Sequence, residues 1–102
     1  MVYNVFKYSI VDDEIIRSIL YYESVSYDLG LRFETEIEKA LDKLESNPTF
    51  YLLLKDKKHR RIPIEGFPYA LIYSIHNHDV IVKLLFPEKE DPAKLWAQLY
   101  SL

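Results

Sequence analysis

Residues 60–73 have the sequence RRIPIEGFPYALIY, and the rest of the chain can be interpreted outward from this stretch. Its second half predicts a strand with apolar side chains on both faces, Tyr69, Leu71, Tyr73 and Ile75 on one and Ala70, Ile72 and Ser74 on the other. A strand of this kind is typical of the centre of a sheet that is covered on two sides. Pro63 lacks a backbone donor, which favours an edge or a bulge in the preceding strand.

The N-terminal part predicts a strand over residues 2–10 and a helical hairpin over residues 12–46. We expect Asp12 to cap the first helix and Asp28 to cap the second, because a carboxylate accepts hydrogen bonds from the free N–H groups at a helix start. Asn47 and Pro48 should end the second helix, since the residue before a proline avoids the helical conformation.

Helical spacing also predicts which side chains this hairpin buries. In the first helix Ile16 and Leu20 lie beside the main apolar positions and widen the predicted buried face. The hairpin should pack on the sheet through five residues, Ile15, Ile19, Phe33, Ile37 and Leu41.

The C-terminal half predicts a charged turn over residues 55–58, followed by strands over 59–64, 68–75 and 80–86. The last two strands should be joined by a hairpin turn in which Asn77 adopts a left-handed backbone. Asp91 followed by Pro92 predicts the start of a final helix. The elements together predict an α+β fold in a single domain, 1–102, with a strand, a two-helix hairpin, a three-stranded antiparallel meander and a short C-terminal helix.

The composition limits the class of protein. Apolar residues make up 49% of the 102 residues and there is no cysteine, so we expect a globular chain without disulfides. We expect no membrane span and no signal peptide, and therefore a cytoplasmic location. The net charge of -3 argues against strong non-specific binding to nucleic acid.

Few residues are arranged for metal or cofactor chemistry. His76 and His78 lie two apart in the predicted hairpin turn, where a solvated turn is a simpler interpretation than a metal site. The two glycines, Gly30 and Gly66, are far apart, so there is no glycine-rich phosphate loop, and no Ser-His-Asp set can be assembled. We therefore expect no metal and no cofactor.

A basic cluster occupies residues 55–61, interrupted only by Asp56. Two interpretations stay open for it: a solvated turn, or a site for an anion or an acidic partner beside the sheet. His59, within this cluster, is expected to be an exposed residue at the start of a strand.

Four short pieces of the sequence resemble the RelE/ParE toxins of bacterial toxin–antitoxin modules. They are Tyr21-Tyr22 followed by Leu29-Gly30 and Phe33, Asn47-Pro48 before Tyr51, Arg60-Arg61 before Phe67-Pro68-Tyr69, and Asp91-Pro92 followed by Trp96. The resemblance covers nearly the whole chain and implies the RelE/ParE fold.

The resemblance implies one of two activities. RelE-like members cleave ribosome-bound messenger RNA with basic side chains and a late His, Arg or Tyr, whereas ParE-like members poison DNA gyrase. Where the family often has His-Gly-Arg-Arg-Asp-Pro, this chain has Pro87 in place of the histidine and Glu90 in place of an arginine. RNA scission needs a base, an acid and cations around the phosphate, so these departures favour the ParE-like branch and a protein that is not an enzyme.

The favoured interpretation is a ParE-like toxin of a type II, plasmid-stabilising module that binds a target such as DNA gyrase and is neutralised by a cognate antitoxin. One alternative is a RelE-like nuclease acting on messenger RNA at the ribosome, with Arg61, Lys89 and Tyr100 as its candidate catalytic residues. Another is a decayed, non-toxic member that only binds an antitoxin-like partner. A homodimer and a toxin–antitoxin hetero-oligomer both stay open.

The partner-binding residues are expected in and after the basic cluster. Cations attract an acidic tail, and aromatic side chains anchor interfaces when they stay exposed. The expected contacts are Lys57, Lys58, His59, Arg60, Arg61, Tyr69 and Tyr73.

Overall fold

A five-stranded sheet carries a helical hairpin on one face and a short helix on the other in the computed structural model, which describes residues 2–102. The elements in chain order are β1 (Asn4–Lys7), α1 (Ser9–Val25), α2 (Tyr27–Ser46), a 3₁₀ turn (Pro48–Phe50), β2 (Leu52–Leu53), β3 (His59–Pro63), β4 (Tyr69–His76), β5 (Asp79–Pro87) and α3 (Pro92–Leu99). The predicted α+β class and element order are therefore confirmed. No helix in residues 2–102 is both long and apolar enough to cross a bilayer.

The strand order is β1-β5-β4-β3-β2. The predicted antiparallel meander is present as β3, β4 and β5. The sheet as a whole is mixed, because β1 pairs with β5 in parallel, while the two-residue β2 adds an antiparallel edge to β3. Since β2 pairs only with Arg60 and Arg61, Pro63 lies beyond it, where a missing backbone donor leaves no ladder bond unmade.

Both helices of the hairpin begin earlier than the sequence predicts. α1 begins at Ser9, directly after the β1 ladder ends at Lys7, so the predicted strand over residues 2–10 and the Asp12 cap are wrong. Asp12 instead lies in the first turn of α1 and pairs with Lys7 at 2.8 Å. α2 likewise begins at Tyr27, which places Asp28 in its first turn. A carboxylate in a first turn still interacts favourably with the helix dipole.

The larger core lies between the hairpin and the sheet. Of the five predicted packing residues, Ile15, Phe33 and Ile37 are buried, and the other two are partly buried against them. The Phe33 ring is central, because the ring centroids of Tyr22 and Phe67 lie 5.1 and 5.0 Å from it. These contacts confirm the predicted packing of the hairpin.

The smaller core lies under α3. Leu95 and Leu99 of α3 are buried against Ile72 of β4 and Leu84 and Phe86 of β5. β4 is therefore covered on both faces, as the alternation of its apolar residues predicts. The predicted start of α3 is also confirmed, because Asp91 Oδ1 accepts a hydrogen bond of 2.9 Å from the Ala93 N–H.

One side of α1 is more exposed than the sequence predicts. Ile16 and Leu20 are 56% and 60% exposed, although both were expected to widen the buried face. α1 is buried through Val11 and Ile15, which lie on the side that faces the sheet and α2. The apolar face of α1 is thus narrower than its composition suggests, and Ile16 and Leu20 remain uncovered within this chain.

Phe33→Ala should lower the free energy of unfolding by about 3–5 kcal/mol, because it removes a fully buried ring and leaves a cavity between the hairpin and the sheet. Urea denaturation followed by circular dichroism measures this loss. Phe50→Ala is the matched control, because Phe50 is 73% exposed and its removal should change stability little. A loss below about 1 kcal/mol for Phe33→Ala would show that this ring is not central to the core.

Candidate functional site

A cleft of about 320 Å³ lies between α3 and the face of the sheet that α3 only partly covers. We call it the α3 cleft. Its apolar lining comprises Leu54, Ala70, Ile72, Phe86, Pro92, Leu95 and Trp96, and its charged lining comprises Lys55, Arg61, Glu88 and Glu90. A cleft with an apolar floor and a few charged groups has the composition of a binding site.

Both cations of the α3 cleft contact neighbouring side chains. Arg61 Nη2 lies 3.2 Å from Glu88 Oε2, and both side chains are about one-third exposed. Lys55 Nζ lies 5.3 Å from the centre of the Trp96 ring, within the range of a cation–π contact. Because these contacts are partly solvated, a charged partner can compete for them at small cost.

A second polar group lies on the same face of the sheet, past the C-terminal end of α3. Asp56 Oδ2 accepts hydrogen bonds from His59 Nδ1 at 2.6 Å and from the Tyr100 hydroxyl at 2.8 Å. Asp56 Oδ1 accepts from the backbone N–H groups of Lys58 and His59, at 3.0 and 3.1 Å. We call Asp56, His59, Lys83 and Tyr100 the Asp56 network.

Lys83 completes the network on the other side of the imidazole, where its Nζ lies 3.1 Å from His59 Nε2. An ammonium only donates, so Nε2 is the acceptor and the His59 proton lies on Nδ1, towards Asp56. Lys83 follows Val82, whose side chain lies in the core under the hairpin, so alternation places Lys83 on the opposite face of β5. The β4–β5 ladder skips Lys83, since Ile72 pairs with Leu84 and Tyr73 with Val82, and this bulge keeps Leu84 on the same face as Lys83.

The network shifts the pKa values of two of its members. Burial alone would raise the pKa of Asp56, but the hydrogen bonds from His59, the Lys58 backbone and Tyr100 outweigh it and hold that pKa well below its usual value. The pKa of the Tyr100 hydroxyl is raised, chiefly because it donates to the Asp56 carboxylate. Asp56 is therefore anionic and Tyr100 protonated at neutral pH.

Among solved structures, the chain is similar to one described as the chromosomal ParDE TA system from P. aeruginosa. The TM-score is 0.73 and the identity 9%, and the match covers 84% of this chain and 96% of that one. This chain shares the fold of that protein. The RelE/ParE-like fold implied by the sequence resemblance is thereby confirmed at the level of the fold. No family model and no curated protein sequence matches the chain.

The residues expected to bind a partner do not form one surface. Lys57 and Lys58 are exposed in the turn before β3, and Arg61 lines the α3 cleft. Arg60, its neighbour on β3, points to the opposite side and donates to the carbonyl oxygens of Thr49 and Tyr51 at 3.1 and 2.7 Å. Because successive residues of a strand point to opposite faces, Arg60 holds the 3₁₀ turn in place while Arg61 faces the α3 cleft.

Three further residues of that expected set are buried or partly buried. His59 was expected to be exposed but is only 6% exposed, because it lies inside the Asp56 network. Tyr73 has no exposed surface, and its hydroxyl donates to the Pro48 carbonyl at 2.5 Å, so its role is structural. Tyr69 lies on the hairpin side of the sheet, 5.9 Å from Phe33 between ring centroids. Tyr73 therefore cannot contact a partner at the surface.

The candidate nuclease residues take part in different contacts. Arg61 lines the α3 cleft, Tyr100 donates to Asp56 in the network, and Lys89 is exposed in the turn after β5. Among the described residues, no group of three or more His, Cys, Asp or Glu is arranged to hold a metal ion.

Asp56→Asn should lower the free energy of unfolding by about 1–3 kcal/mol at neutral pH, because the carboxylate accepts four hydrogen bonds that an amide cannot fully replace. The folded pKa of Asp56 is depressed, so its stabilisation is present above the unfolded value of about 4 and is lost as the pH falls below it. Urea titrations at a series of pH values should show the difference from wild type shrinking below about pH 4.

The control for this titration is Asp42→Asn, which removes an exposed carboxylate of α2 and should have little effect at any pH. A stability difference for Asp56→Asn that stays constant from neutral to acidic pH would show that the network does not depend on the Asp56 charge.

Proposed function

We propose that this chain is the toxin of a type II toxin–antitoxin module, of the ParE-like kind. The observation that carries this proposal is the fold shared with a ParDE TA system structure over 84% of this chain and 96% of that one. The sequence pieces that resemble RelE/ParE toxins support the same assignment independently of the structure. We place the protein in the cytoplasm, where such modules act.

We propose that a cognate antitoxin occupies the α3 cleft. Trp96 and Phe86 line it, and aromatic side chains of this kind contribute strongly to protein interfaces. Lys55 and Arg61 would attract an acidic side chain of an antitoxin tail. The ion pair between Arg61 and Glu88 is partly solvated, so an antitoxin carboxylate could replace Glu88 as the partner of Arg61. An antitoxin tail that is disordered when free would lose conformational entropy as it orders in the cleft, and this loss would reduce the net free energy of binding.

We further propose that the toxin acts by binding its target, DNA gyrase being the target that the ParE-like resemblance implies. RNA cleavage is disfavoured, because Arg61 is paired with Glu88, the Tyr100 proton is donated to Asp56, and Pro87 and Glu90 replace groups that could titrate or bind phosphate.

Expression in a bacterial host tests toxicity. Induction of this chain should arrest growth, and co-expression of the product of the adjacent gene should relieve the arrest. If the purified protein is folded and binds that product but induction leaves growth unchanged, the chain is a decayed member that only binds a partner. If it neither arrests growth nor binds that product, the proposed function is wrong.

Purified protein should not cleave messenger RNA on translating ribosomes, because carboxylates engage Arg61 and Tyr100, and Pro87 and Glu90 replace groups that could titrate or bind phosphate. Primer extension on the translated message detects cleavage at single-nucleotide resolution. Specific cuts that disappear in Arg61→Ala would establish the RelE-like alternative instead.

Lys55→Glu combined with Arg61→Glu should weaken antitoxin binding by at least tenfold at low salt, because it reverses both cations of the α3 cleft. The loss should diminish as salt rises, since partly exposed charges are screened. Titration calorimetry at low and high salt measures both effects. Arg60 is left unchanged, because its hydrogen bonds hold the 3₁₀ turn.

The control carries the same change in charge on the exposed surface of α2, Lys39→Glu with Lys43→Glu. It should bind the antitoxin within about twofold of wild type. Equal weakening by both double variants would mean that only the net charge matters and that the α3 cleft is not the antitoxin site.

A further inference from the structure

A pocket of about 450 Å³ opens beside the Asp56 network, on the stretch of sheet that α3 leaves uncovered. We call it the lysine pocket. It is lined by Lys57, Lys58, His59, Ser74, His76 and Lys83, together with part of Ile75. It shares no lining residue with the α3 cleft, so it is a separate feature of the surface.

The lysine pocket has a strong excess of positive charge. Three lysines line it and none of its lining residues is acidic. In residues 2–102, no ion pair joins any of these three lysines to a carboxylate. The partly buried Asp56 carboxylate beside the pocket already accepts four hydrogen bonds from other groups. The negative charge of Asp56 offsets one of the three lysine charges, but Asp56 forms no ion pair with these lysines.

The Lys83 ammonium is held in position by His59. One of its three N–H groups is directed to His59 Nε2, which the Asp56 carboxylate orients through Nδ1. The remaining two N–H groups are available to a ligand in the pocket. Ser74 and His76, linked to each other at 3.0 Å, supply further polar atoms on the same face of β4. This side of the pocket is therefore organised before any ligand arrives, which lowers the entropic cost of binding.

Lys57 holds a conformation that is unfavourable for its residue type. Its φ of 62° lies in the left-handed region, which glycine or asparagine adopts more readily than lysine. The turn therefore carries a lysine where another residue would give a more stable backbone. Strain of this kind at the rim of a pocket is an indication of function.

We propose that the lysine pocket binds a phosphate group. The compact ammonium group of a lysine is suited to binding phosphate. Several ammonium groups around one concave site match a phosphate group better than a carboxylate, because a phosphate has more oxygen acceptors. The phosphate belongs either to a small phosphorylated molecule or to the backbone of a nucleic-acid strand. Exposed Tyr100, stacked on Trp96 beside the network, offers a surface on which a nucleobase can stack in both cases.

The test follows backbone amide shifts by NMR while inorganic phosphate, adenosine monophosphate or a short single-stranded oligonucleotide is added to the full chain. Chloride at equal ionic strength is the reference. We expect shifts at residues 57–59, 74–76 and 83 in the wild type. The double variant Lys57→Gly, Lys58→Gln should weaken binding about tenfold or more, because it removes two charge-assisted contacts.

The same variant separates binding from folding. Glycine at position 57 relieves the left-handed strain, so the variant should be at least as stable as wild type while it binds less. Lys39→Gln with Lys43→Gln removes the same charge from α2 and should bind within about twofold of wild type.

Each outcome decides the proposal. Shifts with phosphate or the mononucleotide that the pocket variant loses support a small phosphorylated ligand. Shifts with the oligonucleotide alone, lost in the same variant, support the phosphate of a strand. Shifts that chloride reproduces, shifts that the α2 variant loses equally, or no shift at the pocket with any ligand would overturn the proposal.

Discussion

Burial of β4 from both sides is the constraint on which the other elements depend. Leu71 and Tyr73 lie in the core under the helical hairpin, whereas Ile72 lies in the core under α3, so this one strand links both cores. Full burial of each such side chain contributes about 1.5–3 kcal/mol, and a polar residue at any of these positions would need a partner. The fully buried Tyr73 hydroxyl on the hairpin side has such a partner in the Pro48 carbonyl, which ties the 3₁₀ turn to the sheet.

The same alternation sends the two arginines of β3 to opposite faces of the sheet. Arg60 points to the 3₁₀ turn and Arg61 to the α3 cleft, although they are adjacent in sequence. α3 covers only part of the second face of the sheet, so that face carries an apolar cleft on one side and a basic pocket on the other. Both features lie on this face because the hairpin covers the opposite one with the larger core.

Sequence periodicity predicts the elements far better than it predicts the polar networks. The apolar alternation of β4 and the helical spacing around Phe33 are local signals, and both are confirmed. The sequence places the start of α1 too late because β1 ends with its ladder at Lys7, and the exposure of Ile16 depends on where α2 lies. The Asp56 network joins residues 44 positions apart at Tyr100, which no local pattern reveals. Two signals were nevertheless present: Asp56 three residues before His59, and a lysine at position 83 within an apolar strand.

We propose above all that a partner binds the face of the sheet on which α3 lies. Hydrogen–deuterium exchange of the chain, alone and with the product of the adjacent gene, tests it most directly, because slowed exchange marks the elements that a partner covers or orders. Protection on binding should be concentrated in residues 52–61 and in α3, while the N-terminal turns of α1 exchange as in the free chain. Protection concentrated in α1 around the exposed Ile16 and Leu20, with α3 unchanged, would contradict it and assign the partner to the hairpin instead.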